Sequence, residues 1–127
     1  MPDARCDSRE RIVILDYHTH TPLCKHAVGE PEAYAARAVE RGIEEIGFSD
    51  HCPMPVDYDT DWRMTRAEYP TYIEMVSRCR KAFPKLSVKL GLEADFHPGT
   101  EEYVRGVIGQ YEFDYVIGSI HFIGDWG

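Results

Sequence analysis

Residues 31–51, PEAYAARAVERGIEEIGFSDH, hold one complete helix-to-strand unit. Pro31 suits the first turn of a helix, where its missing N–H has no partner in any case. Tyr34, Ala35, Ala38 and Val39 recur at helical spacing and form one apolar face. Gly42 suits the left-handed residue that ends such a helix. Ile43 to Phe48 then reads as a short strand running into Ser49-Asp50-His51. A helix, a tight turn and an apolar strand that ends on polar side chains is the repeating piece of a parallel α/β fold.

The same unit recurs on both sides. Upstream, Ile12-Val13-Ile14-Leu15 is a fully apolar run, as expected of a buried parallel strand, with a loop through Gly29 behind it. Downstream, Cys52 to Thr65 is a long polar loop around Trp62, of a length that compact domains usually keep for function. A second helix is expected from about Glu68–Pro70 to Phe83, with Ile73, Val76 and Phe83 near one face and Pro84 as its stop. Ser87 to Leu92 reads as the third strand. Thr100 reads as the N-cap of a third helix to about Gln110, with Glu101 and Glu102 favourable against its dipole. Phe113 to Ile120 reads as the fourth strand. The order β-α-β-α-β-α-β implies α/β architecture with parallel strands and right-handed crossovers, either a small open sheet or half of a βα barrel.

The chain has 127 residues, which suits one domain or part of a larger one. Residues 1–11 are charged, lack an apolar signal core and read as a flexible leader, so a cytoplasmic location is expected. With 14 Lys+Arg against 22 Asp+Glu the formal charge is −8, and no basic surplus exists to displace counterions from a nucleic acid. Apolar stretches are far short of a membrane span. Cys6, Cys24, Cys52 and Cys79 form no C-x-x-C pair and read as free, mostly buried thiols. No phosphate-binding P-loop and no G-x-S-x-G elbow occurs.

Chemistry gathers where the strands end. His18 and His20 follow the first strand as H-x-H, and side chains two apart on an extended chain face the same way. His26 lies six residues further on. The second strand ends at Asp50-His51, the third at Glu93-Ala94-Asp95 and the fourth at His121. Each strand thus delivers a metal-competent side chain at its C-terminal end, the end at which parallel α/β folds assemble their sites. Imidazole and carboxylate together suit Zn, Mn or Fe, and a carboxylate such as Glu93 can use both oxygens to bridge two ions. Asp16 and Asp50 read equally as acceptors orienting a ligand imidazole or as turn caps. Asp95 reads as a turn former in D-F-H-P-G, with a metal ligand as the alternative, His97 as a rim histidine, Cys24 and Cys52 as buried thiols rather than thiolate ligands. Lys25 and Arg63 read as solvated loop cations, with contact to a substrate phosphate as the alternative.

Taken in order, Asp16-Tyr17-His18-Thr19-His20-Thr21, Cys24-Lys25-His26-Ala27, Gly47-Phe48-Ser49-Asp50-His51, Gly91-Leu92-Glu93-Ala94-Asp95 and Gly118-Ser119-Ile120-His121-Phe122-Ile123 resemble the motifs of the PHP (polymerase and histidinol phosphatase) superfamily, most closely its histidinol-phosphatase branch. Trp62-Arg63-Met64 and the final Trp126-Gly127 look like the same branch. The resemblance runs from about Asp16 onward and implies the first half of a distorted (β/α)7 barrel with a three-ion site. By that resemblance His18, His20 and Glu93 hold one divalent ion, Glu93 and His121 a second, and His26 and His51 a third. It also implies further ligands, one histidine and an Asp-x-His pair, that this sequence lacks. Residues 12–127 are therefore expected to form the N-terminal part of a PHP metal-dependent phosphoesterase domain, with the C-terminal half absent.

The activity so implied is hydrolysis of L-histidinol phosphate, a small phosphorylated substrate, to L-histidinol and phosphate in histidine biosynthesis. A hydroxide held by the ions is the implied nucleophile, and the general acid is expected beyond Gly127. A PHP phosphoesterase of another substrate such as a nucleotide, or a non-catalytic metal-binding fragment, are the alternatives. The 127-residue chain alone is expected to retain metal weakly and to be a poor phosphatase.

Overall fold

Every strand pairs with the strand that follows it in sequence, and every pairing is parallel. The computed structural model describes residues 12–55 and 57–127; the expected leader over 1–11 lies outside the described residues. The elements are β1 (Leu15–Thr19), α1 (Pro31–Glu40), β2 (Glu45–Phe48), α2 (Tyr69–Ala82), β3 (Ser87–Asp95), α3 (Glu101–Ile108) and β4 (Tyr115–Ser119). Short 3-10 turns at Pro22–Cys24 and Thr60–Trp62 interrupt the two long loops. Sequential parallel pairing with a helix in each crossover is how a βα barrel is built, and the α/β half-barrel expected from the sequence is what the chain forms.

The helices bury one face each. Ala35 and Ala38 of α1, Tyr69, Tyr72, Val76 and Cys79 of α2, and Val104 and Val107 of α3 pack with Ile46, Phe48, Val88, Leu90 and Leu92 of the sheet. Tyr72 does more than fill space. Its hydroxyl is fully buried and lies 2.8 Å from Phe48 O and 2.6 Å from Gly91 O, while Asp50 N–H points at it from 3.4 Å. One α2 side chain thereby pins the end of β2 against the middle of β3.

The sheet curls about Tyr115. This first residue of β4 pairs with Gly91 of β3, and its ring lies across the inner face over Gly91 and then Gly47 of β2. Its hydroxyl donates to Tyr17 O on β1 at 2.6 Å, and the two tyrosine rings are 5.1 Å apart. One side chain therefore spans the sheet from its fourth strand to its first, which a flat sheet with ~4.8 Å between strands does not allow. Glycine at 47 and 91 makes room, since a Cβ at either position would overlap the Tyr115 ring.

Two strands, the first and the third, depart furthest from expectation. The first strand is Leu15–Thr19, not the apolar run 12–15, and Ile12 is 84% exposed. Backbone pairing begins at Leu15 because its partner strand begins opposite it, at Glu45, so the residues before it have no ladder to join. The H-x-H pair therefore begins inside β1 rather than after it. β3 runs three residues beyond Leu92 to Asp95, because β4 pairs with it through Ser119 opposite Asp95. Thr100 precedes α3 but its hydroxyl donates back to His97 O at 2.8 Å and caps no helix N–H.

Replacing Gly91 by Ala should cost roughly 1–3 kcal/mol, because the added methyl meets the fixed Tyr115 ring. Gly118 on β4 has open space where its Cβ would stand, so Gly118→Ala should lie within about 0.5 kcal/mol of the parent. Urea unfolding of the two variants checks the contrast; equal midpoints would remove Tyr115 as the reason for the glycine.

Candidate metal centre

Glu93 sits seven residues into β3 with its carboxylate 3% exposed. It is opposed by His51, because β2 resumes after a break as a single parallel bridge between those two residues. Glu93 N–H donates to Asp50 O and Cys52 N–H to Glu93 O, both at 2.9 Å, so the backbone sets the two side chains beside each other. Oε1 of Glu93 contacts Nε2 of His18 from β1. Oε2 contacts Nδ1 of His51 and lies 3.4 Å from Nε2 of His121, two residues beyond β4. One carboxylate thus turns one oxygen to the first strand and the other to the second and fourth.

The imidazoles continue around it. Ring centres are 5.3 Å apart for His18 and His20, 4.7 Å for His20 and His51, 5.4 Å for His26 and His51, and 4.9 Å for His51 and His121. All six candidate ligand residues therefore meet at one end of the sheet. Three sets of possible ligand atoms lie mutually within 4.8 Å: His18, His20 and Glu93; His51, Glu93 and His121; and His20, Cys24 and His26. The second set places His51 with Glu93, whereas the resemblance pairs it with His26. Beside the cluster, His26, His51, His121, Asp59, Trp62 and Phe122 line an open cavity of about 280 Å³.

The electrostatics invite a cation. Burial pushes the Glu93 carboxyl up, but the contact with His51 and the charges of His51, His18 and His20 outweigh it and bring the group down to about 2. His51 Nδ1 and Glu93 Oε2 touch, yet neither has an aligned hydrogen bond, and the buried His20 Nδ1 is equally without one. Buried polar atoms rarely stay unsatisfied. Nitrogen and oxygen donor atoms crowded together without an aligned hydrogen bond fit a divalent ion of zinc type.

The supporting residues divide differently from the sequence reading. Asp50 is fully buried; it accepts Thr21 N–H at 2.8 Å and the Thr21 hydroxyl, and its Oδ1 is 3.3 Å from His20 Nδ1. It joins the turn after β1 to a candidate ligand. Asp16 is exposed and takes the His18 backbone N–H at 3.1 Å, the turn-capping alternative. Lys25 donates to Thr60 O at 2.7 Å and ties one loop to the other. Cys24 and Cys52 are buried thiols, and burial raises both, Cys52 to about 11. His97 packs edge-on against Tyr58 at 5.1 Å and joins no ligand set.

Arg63 and Asp95 depart from their sequence readings. Arg63 is not a solvated cation but 2% exposed, and Asp95 does not merely form a turn but is buried at the end of β3. Arg63 donates to Asp95 Oδ1 at 3.0 Å and Oδ2 at 3.1 Å, to Asp59 Oδ2 at 2.8 Å and to Cys52 O at 2.9 Å. Asp95 Oδ2 also lies 2.8 Å from Nδ1 of His121. The one available signal was the Trp62-Arg63-Met64 run inside an otherwise polar loop; nothing local pairs Arg63 with a residue 32 positions away.

Comparison with known proteins places this geometry. The PHP domain model matches residues 16–126. The chain belongs to the PHP domain family. It is 50% identical over 115 residues to a probable histidinol-phosphatase of Deinococcus radiodurans, covering 90% of this chain and 44% of that protein. It is 32% identical over 118 residues to the histidinol-phosphatase of Bacillus subtilis, covering 85% and 44%. Its fold matches the histidinol phosphate phosphatase of Lactococcus lactis, solved with zinc, L-histidinol and phosphate, at a TM-score of 0.76 and 28% identity over 87% of this chain and 41% of that one. The chain thus spans less than half the length of these PHP relatives. Among its described residues no helix is long and apolar enough to cross a membrane.

Removing the guanidinium leaves Asp95 charged and buried. Arg63→Met should therefore destabilise the protein by roughly 3–5 kcal/mol, against about 0–1 kcal/mol for Arg105→Met, whose partner Glu102 is exposed. Paired urea titrations read the difference, and a small loss for Arg63→Met would mean that water reaches the pair.

Proposed function

We propose that this chain forms the N-terminal part of a metal-dependent phosphomonoesterase that hydrolyses L-histidinol phosphate to L-histidinol and phosphate, the final product serving histidine biosynthesis. The observation that carries this reading is Glu93, whose two buried oxygens serve the His18 side and the His51/His121 side of one cluster. The relatives' names and the zinc, L-histidinol and phosphate in the Lactococcus structure supply the substrate and the metal.

In this reading His18, His20 and Glu93 hold one ion, Glu93 and His121 a second, and His26 and His51 a third. Divalent ions there supply Lewis acidity toward the phosphoryl oxygens and acidify water. The chain's own residues do the positioning. Glu93 keeps the first two sites at a fixed separation. Asp50, anchored by two hydrogen bonds to Thr21, sets a carboxylate 3.3 Å from His20 Nδ1. Trp62, its ring 5.7 Å from that of His26, forms part of the wall of the open cavity beside the cluster. Residues 12–127 are proposed to be completed by a C-terminal half that brings the remaining ligands and the general acid.

The test is phosphate release from L-histidinol phosphate by the polypeptide as its gene encodes it, with a nucleoside monophosphate as the competing substrate. Faster turnover of the nucleotide would favour a PHP phosphoesterase of other specificity. Glu93→Gln should lower activity by more than about 100-fold, since even an outer partner of a metal ligand is worth about 10–100-fold. His26→Gln should cost less, because it serves one ion. Equal losses would argue against a bridging carboxylate.

A further inference from the structure

We propose that Asp95 is the positioning residue that fixes the His121 ring for metal binding, and that buried Arg63 locks Asp95 in that role. The proposal rests on the metal-centre reading above and extends it to two residues outside the ligand set.

His121 needs such a partner. It stands two residues past the end of β4, and a third of its side chain is exposed, so neither a strand nor tight packing sets its ring. Its two nitrogens point at different carboxylates. Nδ1 is 2.8 Å from Asp95 Oδ2, and Nε2 is 3.4 Å from Glu93 Oε2. Both carboxylates can only accept, but the Nδ1 contact alone is at hydrogen-bond distance, so the one proton of a neutral ring belongs on Nδ1 and the lone pair on Nε2, the nitrogen that faces the ligand cluster. The Ser119 hydroxyl, 3.5 Å from Nδ1, is too distant to compete. A carboxylate that receives the outer N–H of an imidazole sets both its tautomer and its rotation about the ligand bond.

Asp95 in turn is held on every side. Arg63 grips both oxygens with its two terminal nitrogens, the fork geometry that suits a carboxylate. Tyr58 donates to Oδ2 at 3.1 Å, and its ring lies 5.0 Å from the Arg63 guanidinium carbon. Asp59 and Cys52 O fix the guanidinium from behind. An ion pair that only fastened the 52–64 loop to β3 would need no third partner. Here the oxygen farther along is aimed at an imidazole whose other edge meets Glu93.

The experiment uses the polypeptide as its gene encodes it, with zinc as the probe. Long-range 1H–15N spectra of the metal-free protein in mildly alkaline buffer should show His121 protonated at Nδ1. Asp95→Asn should lower zinc affinity, read by chelator competition, by about 10–100-fold and shift the His121 tautomer. In a His121→Gln background the same change should add no further loss, since Asp95 acts through His121. Asp95→Asn strands the Arg63 charge, so Asp95→Asn/Arg63→Met, which removes both charges, carries the same measurements if the single variant does not fold. A wild-type His121 protonated at Nε2 overturns the proposal. So does an unchanged zinc affinity in a folded variant, or a full additional loss in the His121→Gln background. A wild-type polypeptide, as its gene encodes it, that takes up no zinc overturns the metal-centre reading, while the tautomer still decides the role of Asp95.

Discussion

A carboxylate withdrawn from water must find positive or hydrogen-bonding partners, and the fold is arranged around how Glu93 finds them. Its partners come from three other strands, and they reach it because all four strands run the same way. Parallel pairing in sequence order puts the C-terminal ends of β1, β2, β3 and β4 at one rim. His18 and His20, then His51, then Glu93 itself, then His121 arrive there in chain order. An antiparallel neighbour would have delivered its strand start instead, and the cluster would lose a member.

Parallel direction alone does not bring β1 close enough to β3 for His18 to touch Glu93, since β2 lies between them. Curvature closes that distance. Its visible agent is the Tyr115 ring, which bridges β4 to β1 over two glycines. Tyr72 works from the opposite, helix-covered face, joining β2 to β3 just before the rim. The inner tyrosine sets the curl and the outer one sets the register, so the positions of the imidazoles follow from packing well below them.

This division explains what could be read from residue order. Helix α1, its Gly42 exit and the strand that ends at His51 were legible because the information is local: a period of 3.6, a residue that tolerates φ of +70°, an apolar run. The candidate ligands were legible because strand ends and metal-competent side chains coincide four times. The start of β1 was not, because an apolar run reports affinity for a core, and pairing depends on where the partner strand begins. Gly47 and Gly91 carried no visible meaning either; their reason is Tyr115, far from both in the chain. Arg63 looked like any loop cation for the same reason.

Charge balance at the rim links the last of these residues to the proposed ions. Asp50, Glu93 and Asp95 are buried there, and Arg63 is the buried guanidinium among them. Arg63 is committed to Asp95, with Asp59 as a second claimant on the same group. Glu93 and Asp50 are therefore left to the histidines. Imidazolium ions would balance them, but a protonated imidazole has no lone pair to offer, and crowding several such cations with ring centres 4.7–5.4 Å apart sets like charges against one another. Divalent ions within the cluster would resolve both difficulties. They would leave the imidazoles neutral, each with a lone pair in use, and would place positive charge against Glu93. Arg63 bears on the site in the same way: its charge offsets part of the negative charge of Asp95, so that carboxylate facing His121 would add less for the ions to satisfy.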